Sequence, residues 1–231
     1  MRQLADLEYS NVEIMVHESS GHLKPSQVLA DVDRAAQICR QTHRLTPVAL
    51  SVDIEAPGQG YYDQFAACCR LCKAIKVVAV TVRSAELGTP FNAEVERLRE
   101  MVAIATMDGG RLGLLSEVGR MTQDPDTAVV LCDSVKGLGI TLDPSHYICG
   151  PHGGASFERV MKYVYHVRLR DTSKDQLQVR VGQGDVEYGR LINQLHKVHY
   201  DRALCVDLAV LPGVDQLAEM RKMRLLLESL L

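Results

Sequence analysis

Residues 138–146 read Leu-Gly-Ile-Thr-Leu-Asp-Pro-Ser-His, and this stretch contains the unit from which the chain is built. An apolar, partly β-branched run ends in Asp143, which predicts a buried strand. The Asp-x-x-His spacing that ends this stretch places an acid and an imidazole on one turn. In parallel α/β folds the ligand site lies at the carboxyl ends of the strands, so Asp143 and His146 are candidate site residues.

The same unit recurs along the whole chain, because apolar runs of strand length alternate with segments of helical periodicity. Strands are predicted over residues 12–16, 48–52, 77–82, 112–117, 139–143, 166–170 and 204–208. Helices are predicted over residues 2–7, 27–44, 61–75, 92–107, 126–136, 156–165, 187–198 and 216–229.

Seven βα units over 231 residues average roughly 33 residues each, close to the spacing of a (β/α)₈ barrel. We predict an α/β fold: one TIM-barrel-like domain of parallel strands over residues 1–231, without the first strand of an eight-stranded barrel. An open doubly wound sheet is the alternative, but it usually has a glycine-rich phosphate loop after its first strand. Residues 17–21 read His-Glu-Ser-Ser-Gly and no G-x-G-x-x-G occurs, so we expect no nucleotide cofactor.

Composition excludes several classes of protein. The formal net charge is −3, so no overall positive field attracts the chain to nucleic acid or to anionic lipid. The longest apolar runs fall far short of the roughly 20 residues that span a bilayer. Asp6 and Glu8 lie where an export signal would be apolar, and the seven scattered cysteines fit reduced core thiols. We therefore expect a cytoplasmic protein without membrane or nucleic-acid partners.

Acidic and basic side chains follow consecutive predicted strands, where a barrel would bring them together at its mouth. These residues are Glu117, Asp143 with His146, Arg168 with Arg170, and Asp207, and His17 and Glu13 belong to the first strand. Carboxylates and imidazoles are the usual ligands of divalent ions. Any one of these acids could instead cap the next helix or lie in a solvated loop.

Five stretches together resemble the xylose isomerase-like TIM-barrel superfamily of sugar and sugar-phosphate isomerases and epimerases. They are Val12-Glu-Ile14, Leu115-Ser-Glu117, Asp143-Pro-Ser-His146, His166-Val-Arg-Leu-Arg-Asp171 and Gly182-Gln-Gly-Asp-Val186. The likeness covers nearly the whole chain. The family usually has H-x-K-D where this chain has R-x-R-D, followed by a similar G-x-G turn.

The resemblance implies a divalent ion held by a Glu, an Asp, a His and a final Glu on successive strands, with the two glutamates moving a proton next to a carbonyl. Carried over by position, these residues are Glu117, Asp143, Arg168 and Asp207, and His146 matches a substrate-side or second-metal histidine. His166 precedes Arg168 by two residues, and we expect it to point to the opposite face of its strand. The predicted metal ligands are thus Glu117, Asp143, His146 and Asp207.

A guanidinium group offers no lone pair, so Arg168 cannot bind a metal. Three alternatives follow: Arg168 replaces the ion by pairing with Glu117, Asp143 or Asp207; a Mn, Mg, Co or Zn ion is held weakly by the other ligands; or the barrel only binds a ligand. The repulsion between Arg168 and a divalent ion favours the absence of a tightly bound metal.

As an enzyme, the chain is expected to isomerise or epimerise a sugar or sugar phosphate, with Glu117 or Asp207 as base and Arg168 as the stabilising cation. Glu13, His17, His146 and Arg170 are expected to bind the substrate. The alternative is a non-catalytic, sugar-binding or partner-dependent barrel. The superfamily also contains a zinc-dependent abasic-site endonuclease, but residues 176–182 lack its D-x-H ligands, which argues against DNA repair. An open barrel has exposed edges, so a homo-oligomer that uses the apolar residues 220–231 is also expected.

Overall fold

The computed structural model describes residues 1–231 and contains one sheet of seven parallel strands. The strands are β1 (Asn11–His17), β2 (Thr46–Asp53), β3 (Ala79–Val82), β4 (Arg111–Leu115), β5 (Gly139–Leu142), β6 (Val164–Leu169) and β7 (Leu204–Val206). Each strand pairs with its neighbours in sequence, in the order β1 to β7. Parallel neighbours require a crossover connection, and helices form most of these connections. All seven predicted strands are confirmed.

The sheet is rolled into a nearly closed barrel. Glu13 of β1 and Arg168 of β6 are five strands apart, which in a flat sheet corresponds to about 24 Å at the usual strand spacing. Their side chains instead form an ion pair of 2.6 Å. No ladder joins β1 to β7, so the barrel has one open seam between these two edge strands.

Nine α-helices accompany the strands. They are α1 (Arg2–Asp6), α2 (Pro25–Ala30), α3 (Val32–Cys39), α4 (Gln59–Ala74), α5 (Phe91–Met107), α6 (Pro125–Ser134), α7 (Pro144–Cys149), α8 (Tyr188–Lys197) and α9 (Gln216–Glu228). Two predicted helices differ. The helix predicted over residues 27–44 is broken at Asp31, whose extended backbone ends α2 and whose carboxylate accepts the Arg34 N–H to cap α3. The helix predicted over residues 156–165 is a 3-10 helix, Glu158–Tyr163, because Val164 and Tyr165 join β6.

Helix α9 lies across the open seam. It packs against β7, and the Tyr9 hydroxyl, just before β1, donates to the Met220 carbonyl at 2.8 Å. Arg224 of α9 also pairs with Glu8 at 2.5 Å. One face of α9, which overlaps the segment predicted to form an oligomer, therefore packs against the barrel of its own chain. Leu225 and Leu231 of the same segment are exposed. Oligomerisation remains a prediction.

A continuous apolar core fills the space between the helices and the strands. All seven cysteines are free thiols, and Cys69 and Cys72, the pair of the C-x-x-C sequence, are buried in α4. None of the helices combines the length and the apolar character needed to cross a bilayer.

Candidate functional site

The carboxyl ends of the strands surround a cavity of about 240 Å³ at the mouth of the barrel. Its polar lining consists of His17, Ser51, Asp53, Thr81, Arg83, Glu117 and Arg168. These residues come from β1, β2, β3, β4 and β6 or directly follow them. The cavity lies near the lower end of the volumes typical of small-molecule sites.

Glu117 follows β4 and is held by Arg83, which follows β3. The Arg83 guanidinium donates to both carboxylate oxygens, at 2.5 and 2.8 Å, and lies 3.8 Å from Asp53. The hydrogen bond to Glu117 raises the pKa of Arg83. Arg83 was not among the predicted site residues, although it directly follows the apolar strand β3.

Asp143, Arg170 and Asp207 form a second cluster at the ends of the later strands, outside the lining of this cavity. Asp143 is fully buried, and its carboxylate accepts the Ser145 N–H at 3.0 Å, which caps α7. Arg170 donates to Asp143 from Nε at 3.0 Å and to Asp207 from Nη2 at 2.8 Å. A guanidinium group therefore bridges two of the predicted metal ligands.

The two acids of this cluster differ in whether a carboxylate oxygen remains without a hydrogen bond. Asp143 uses both carboxylate oxygens and is closed to solvent. The Asp207 side chain is 42% exposed, and both of its contacts with arginines use Oδ2. Asp207 Oδ1 accepts no hydrogen bond and is free to meet a ligand.

His146 lies one helical turn after Asp143. Its Nδ1 accepts the Val118 N–H at 3.2 Å, so a neutral ring has its proton on Nε2. Nε2 is 3.8 Å from Asp143 Oδ2. Burial lowers the pKa of His146 and outweighs the opposing effect of Asp143. His146 is therefore a neutral hydrogen-bond donor at this site.

Arg168 has a different main partner from those predicted. It forms two hydrogen bonds with Glu13, at 2.6 and 2.9 Å, and lies only 3.9 Å from Asp207. Burial alone would raise the pKa of Glu13, but Arg168 and His166 together lower it. Glu13 lies beneath Arg168 inside the barrel and does not line the cavity.

The prediction that His166 points away from Arg168 is wrong. Side chains alternate along a strand, so residues two apart share a face. His166 is buried inside the barrel, and its Nε2 lies 3.4 Å from Glu13 Oε2, the same oxygen to which Arg168 Nε donates at 2.9 Å. His17, by contrast, lines the cavity and bonds Ser51 Oγ through Nε2 at 2.8 Å, and burial lowers its pKa.

Asp171 explains the motif that follows β6. Its carboxylate accepts the N–H groups of Gly182 at 2.7 Å and Gly184 at 3.1 Å. A Cβ atom on Gly184 would overlap Asp171 Oδ1, so the second glycine is required there. The R-x-R-D strand and its G-x-G turn thus form one unit that fixes the backbone next to Arg170.

The four predicted metal ligands do not fit a divalent ion in this arrangement. A metal site needs donor atoms that converge on one point. Glu117, Asp143 and Asp207 instead hold the guanidinium groups of Arg83 and Arg170. The three donor atoms that do converge, within 4.8 Å of one another, belong to Glu13, His166 and Cys205, below the mouth.

Solved structures with the same fold cover nearly the whole chain. A 3-keto-D-glucoside 4-epimerase from E. coli is 12% identical, with a TM-score of 0.75 over 99% of this chain and 92% of that one. A D-tagatose 3-epimerase-like protein is 16% identical, with a TM-score of 0.76 over 100% and 91%. A protein from Mycobacterium smegmatis in complex with magnesium is 16% identical, with a TM-score of 0.75 over 100% and 88%.

No curated protein matches the chain significantly in sequence. The family model described as "Xylose isomerase-like TIM barrel" matches residues 1–225. This match covers almost every residue, including all seven strands and the charged residues at the mouth. The chain therefore belongs to the xylose isomerase-like TIM barrel family.

Proposed function

We propose that the protein acts on a carbohydrate at the barrel mouth and moves a proton at the carbon next to a carbonyl, as an isomerase or epimerase does. The observation that carries the proposal is the arrangement of Arg170 and Asp207. One oxygen of Asp207 is fixed by Arg170 at 2.8 Å, the other accepts no hydrogen bond, and the side chain is 42% exposed. An oriented carboxylate beside a cation suits removal of such a proton.

Asp207 is the proposed base. Its Oδ1 takes the proton from the carbon, and the electron pair of the broken C–H bond moves to the carbonyl oxygen as an enediolate forms. For the isomer, the hydroxyl proton on the first carbon moves to the enediolate oxygen while Asp207 returns its proton to the former carbonyl carbon, so the first carbon becomes the new carbonyl. For the epimer, a proton is delivered to the opposite face of the original carbon. Glu117, paired with Arg83, is the proposed group on that other face.

In this proposal, arginines supply the positive charge that a divalent ion would otherwise supply. Nη1 of Arg170 and Nη1 of Arg168 donate no hydrogen bond within the protein, and both guanidinium groups approach Asp207 Oδ2. Fixed cations at a water-poor site stabilise a developing enediolate oxygen. His146 Nε2–H adds a neutral donor. His17, which lines the cavity, is proposed to bind a substrate hydroxyl.

The substrate class is proposed from the relatives. Two structures with the same fold are named for a 3-keto-D-glucoside and for D-tagatose, which are carbohydrates with a ketone. The cavity of about 240 Å³ suits a single sugar unit. A phosphorylated sugar is a second form of the same substrate.

The test is product formation from a panel of ketoses and aldoses, with and without phosphate, followed by NMR. Asp207→Asn should lower turnover by roughly 10²- to 10⁴-fold, the usual contribution of a general base. The matched control is Asp201→Asn, at an exposed site before β7, which should leave turnover unchanged. Equal activity of the two variants would contradict the role of Asp207.

Binding without turnover is the second candidate, and one observation favours it. Both oxygens of Glu117 are occupied by Arg83, which weakens this carboxylate as a base. Saturable binding of a sugar in the absence of any product across the whole panel would support this candidate and contradict the enzyme.

A further inference from the structure

Three side chains with metal-binding atoms meet inside the barrel, below the mouth. Glu13 comes from β1, His166 from β6 and Cys205 from β7. The mechanism proposed above uses none of them. Because β1 and β7 are the unpaired edge strands, the cluster lies beside the open seam.

Two of the three distances in this cluster match the edges of a zinc coordination tetrahedron, and the third, between His166 Nε2 and Cys205 Sγ, is at most 4.8 Å. Glu13 Oε2 lies 3.4 Å from His166 Nε2 and 3.5 Å from Cys205 Sγ. Tetrahedral zinc, with bonds of roughly 2.0–2.1 Å to N and O and 2.3 Å to S, separates its O and N ligands by about 3.3 Å and its O and S ligands by about 3.5 Å. Glu13 Oε2 is the common atom of both distances.

His166 has a second feature that points to a ligand. The residue is 2% exposed, yet its Nε2 has no hydrogen-bond partner. Glu13 Oε2 lies 3.4 Å from this nitrogen, but the two atoms do not form a hydrogen bond. Buried polar atoms are nearly always satisfied, so an unpartnered ring nitrogen that faces a carboxylate and a thiol needs an explanation.

We propose that Glu13 Oε2, His166 Nε2 and Cys205 Sγ bind one zinc ion, which joins β1 to β6 and β7 across the seam. A mixed N, O and S donor set suits zinc better than magnesium or calcium. Binding removes the thiol proton to solvent, and the thiolate and the Glu13 carboxylate neutralise the ion. Arg168 donates to Glu13 Oε2 at 2.9 Å and to Oε1 at 2.6 Å, and it thereby holds the ligand in place beside His166 and Cys205, with which Glu13 converges. Asp207, 3.9 Å from Arg168, partly offsets the charge of the guanidinium group.

The first experiment measures metal on the full chain, purified without chelator. We expect about one zinc per chain. With Co²⁺ in place of zinc, we expect an intense thiolate-to-cobalt absorption band. Cys205→Ser should lose this band and lower Co²⁺ affinity by at least about tenfold, while Cys149→Ser, the other partly exposed cysteine, should keep both.

The second measurement needs no variant, and therefore stands even if Cys205→Ser does not fold. X-ray absorption at the zinc edge of the wild-type protein should show one sulfur at about 2.3 Å and N or O ligands at about 2.0–2.1 Å. Zinc with only N and O ligands, binding that survives Cys205→Ser, or no stoichiometric zinc would each overturn the proposal. The proposed function fails or stands separately from these outcomes, because its base Asp207 and the opposing Glu117 are not part of the zinc cluster.

Discussion

Arg168 Nη2 lies 2.6 Å from Glu13 Oε1, and this contact joins the sixth strand to the first across the inside of the barrel. The sheet has no β1–β7 ladder, so backbone hydrogen bonds do not close it. The ion pair and the docking of α9 connect the two sides of the seam instead. The pair also places a fixed guanidinium directly beneath the proposed substrate cavity.

Loss of Arg168 should strongly destabilise the fold. In the metal-free protein, Arg168→Met leaves the buried Glu13 carboxylate without a cation, which typically costs about 3–5 kcal/mol. Arg99→Met is the matched control, because Arg99 pairs with Glu96 on the surface, with both side chains more than half exposed, and its loss should cost about 1 kcal/mol or less. Equal free energies of unfolding for the two variants, from denaturant titration, would contradict the role given to the ion pair.

The same pair makes stability sensitive to acid. The pKa of Glu13 is lower in the folded chain than its ordinary value of 4.5. The unfolded chain therefore takes up the proton first, and the stabilisation is fully present above pH 4.5 and lost as the pH falls below it. Arg168→Met should lose less stability than the wild type over this acid range. A parallel decline in both proteins would argue against it.

His146 should contribute a separate pH dependence near neutrality. Burial lowers its pKa from 6.5, so below pH 6.5 the unfolded chain binds the proton more readily and stability falls. In His146→Gln, the difference in unfolding free energy between pH 8 and pH 5.5 should be smaller than in the wild type. His196→Gln, at an exposed site on α8, should leave that difference unchanged.

Gly184→Ala should destabilise the turn that holds Asp171. The added Cβ would overlap the Asp171 carboxylate and the Thr172 carbonyl, so the turn must shift away from β6. We expect a loss of about 1–3 kcal/mol, as for other overpacked sites. Gly189→Ala in α8 meets no atom within 4 Å and should be neutral or stabilising by up to about 1 kcal/mol. Thermal unfolding of both variants checks the contrast.

Removal of Arg170 should create a manganese site at the mouth. In Arg170→Met, Asp143 and Asp207 lose the guanidinium that bridges them, and His146 lies beside them. Mn²⁺ prefers such oxygen-rich ligands and does not compete for a thiolate. We expect Mn²⁺ affinity to rise at least about tenfold in electron paramagnetic resonance titrations. Arg159→Met, at an exposed pair, should show no gain.

The strands were readable from the sequence because each contains a short apolar run, and β3 and β5 are buried along their whole length. Helix boundaries were less readable: Asp31 ends one helix and caps the next, and periodicity alone continues through it. The topology of a parallel barrel was enough to predict that the residues at the strand ends lie near the mouth. It was not enough to predict their ion pairs, because which arginine contacts which acid depends on side-chain geometry across several strands.

Two site features needed the structure. Arg83 follows an apolar strand, but nothing local indicates that its partner is Glu117, 34 residues later. The cluster of Glu13, His166 and Cys205 depends on how the sheet rolls up, because β1 meets β6 and β7 only through curvature. Strand periodicity applied correctly would have placed His166 on the same face as Arg168.

Proton exchange next to a carbonyl, supported by arginines, is the central claim of this account. The most direct test incubates the wild-type protein with the panel of ketoses and aldoses in D₂O, in metal-depleted buffer with and without added Mn²⁺, and follows deuterium entry by NMR. We predict deuterium at the carbon next to the carbonyl, at the same rate under both conditions, and its loss in Asp207→Asn. Exchange that requires Mn²⁺, or no exchange with any sugar, would contradict the account.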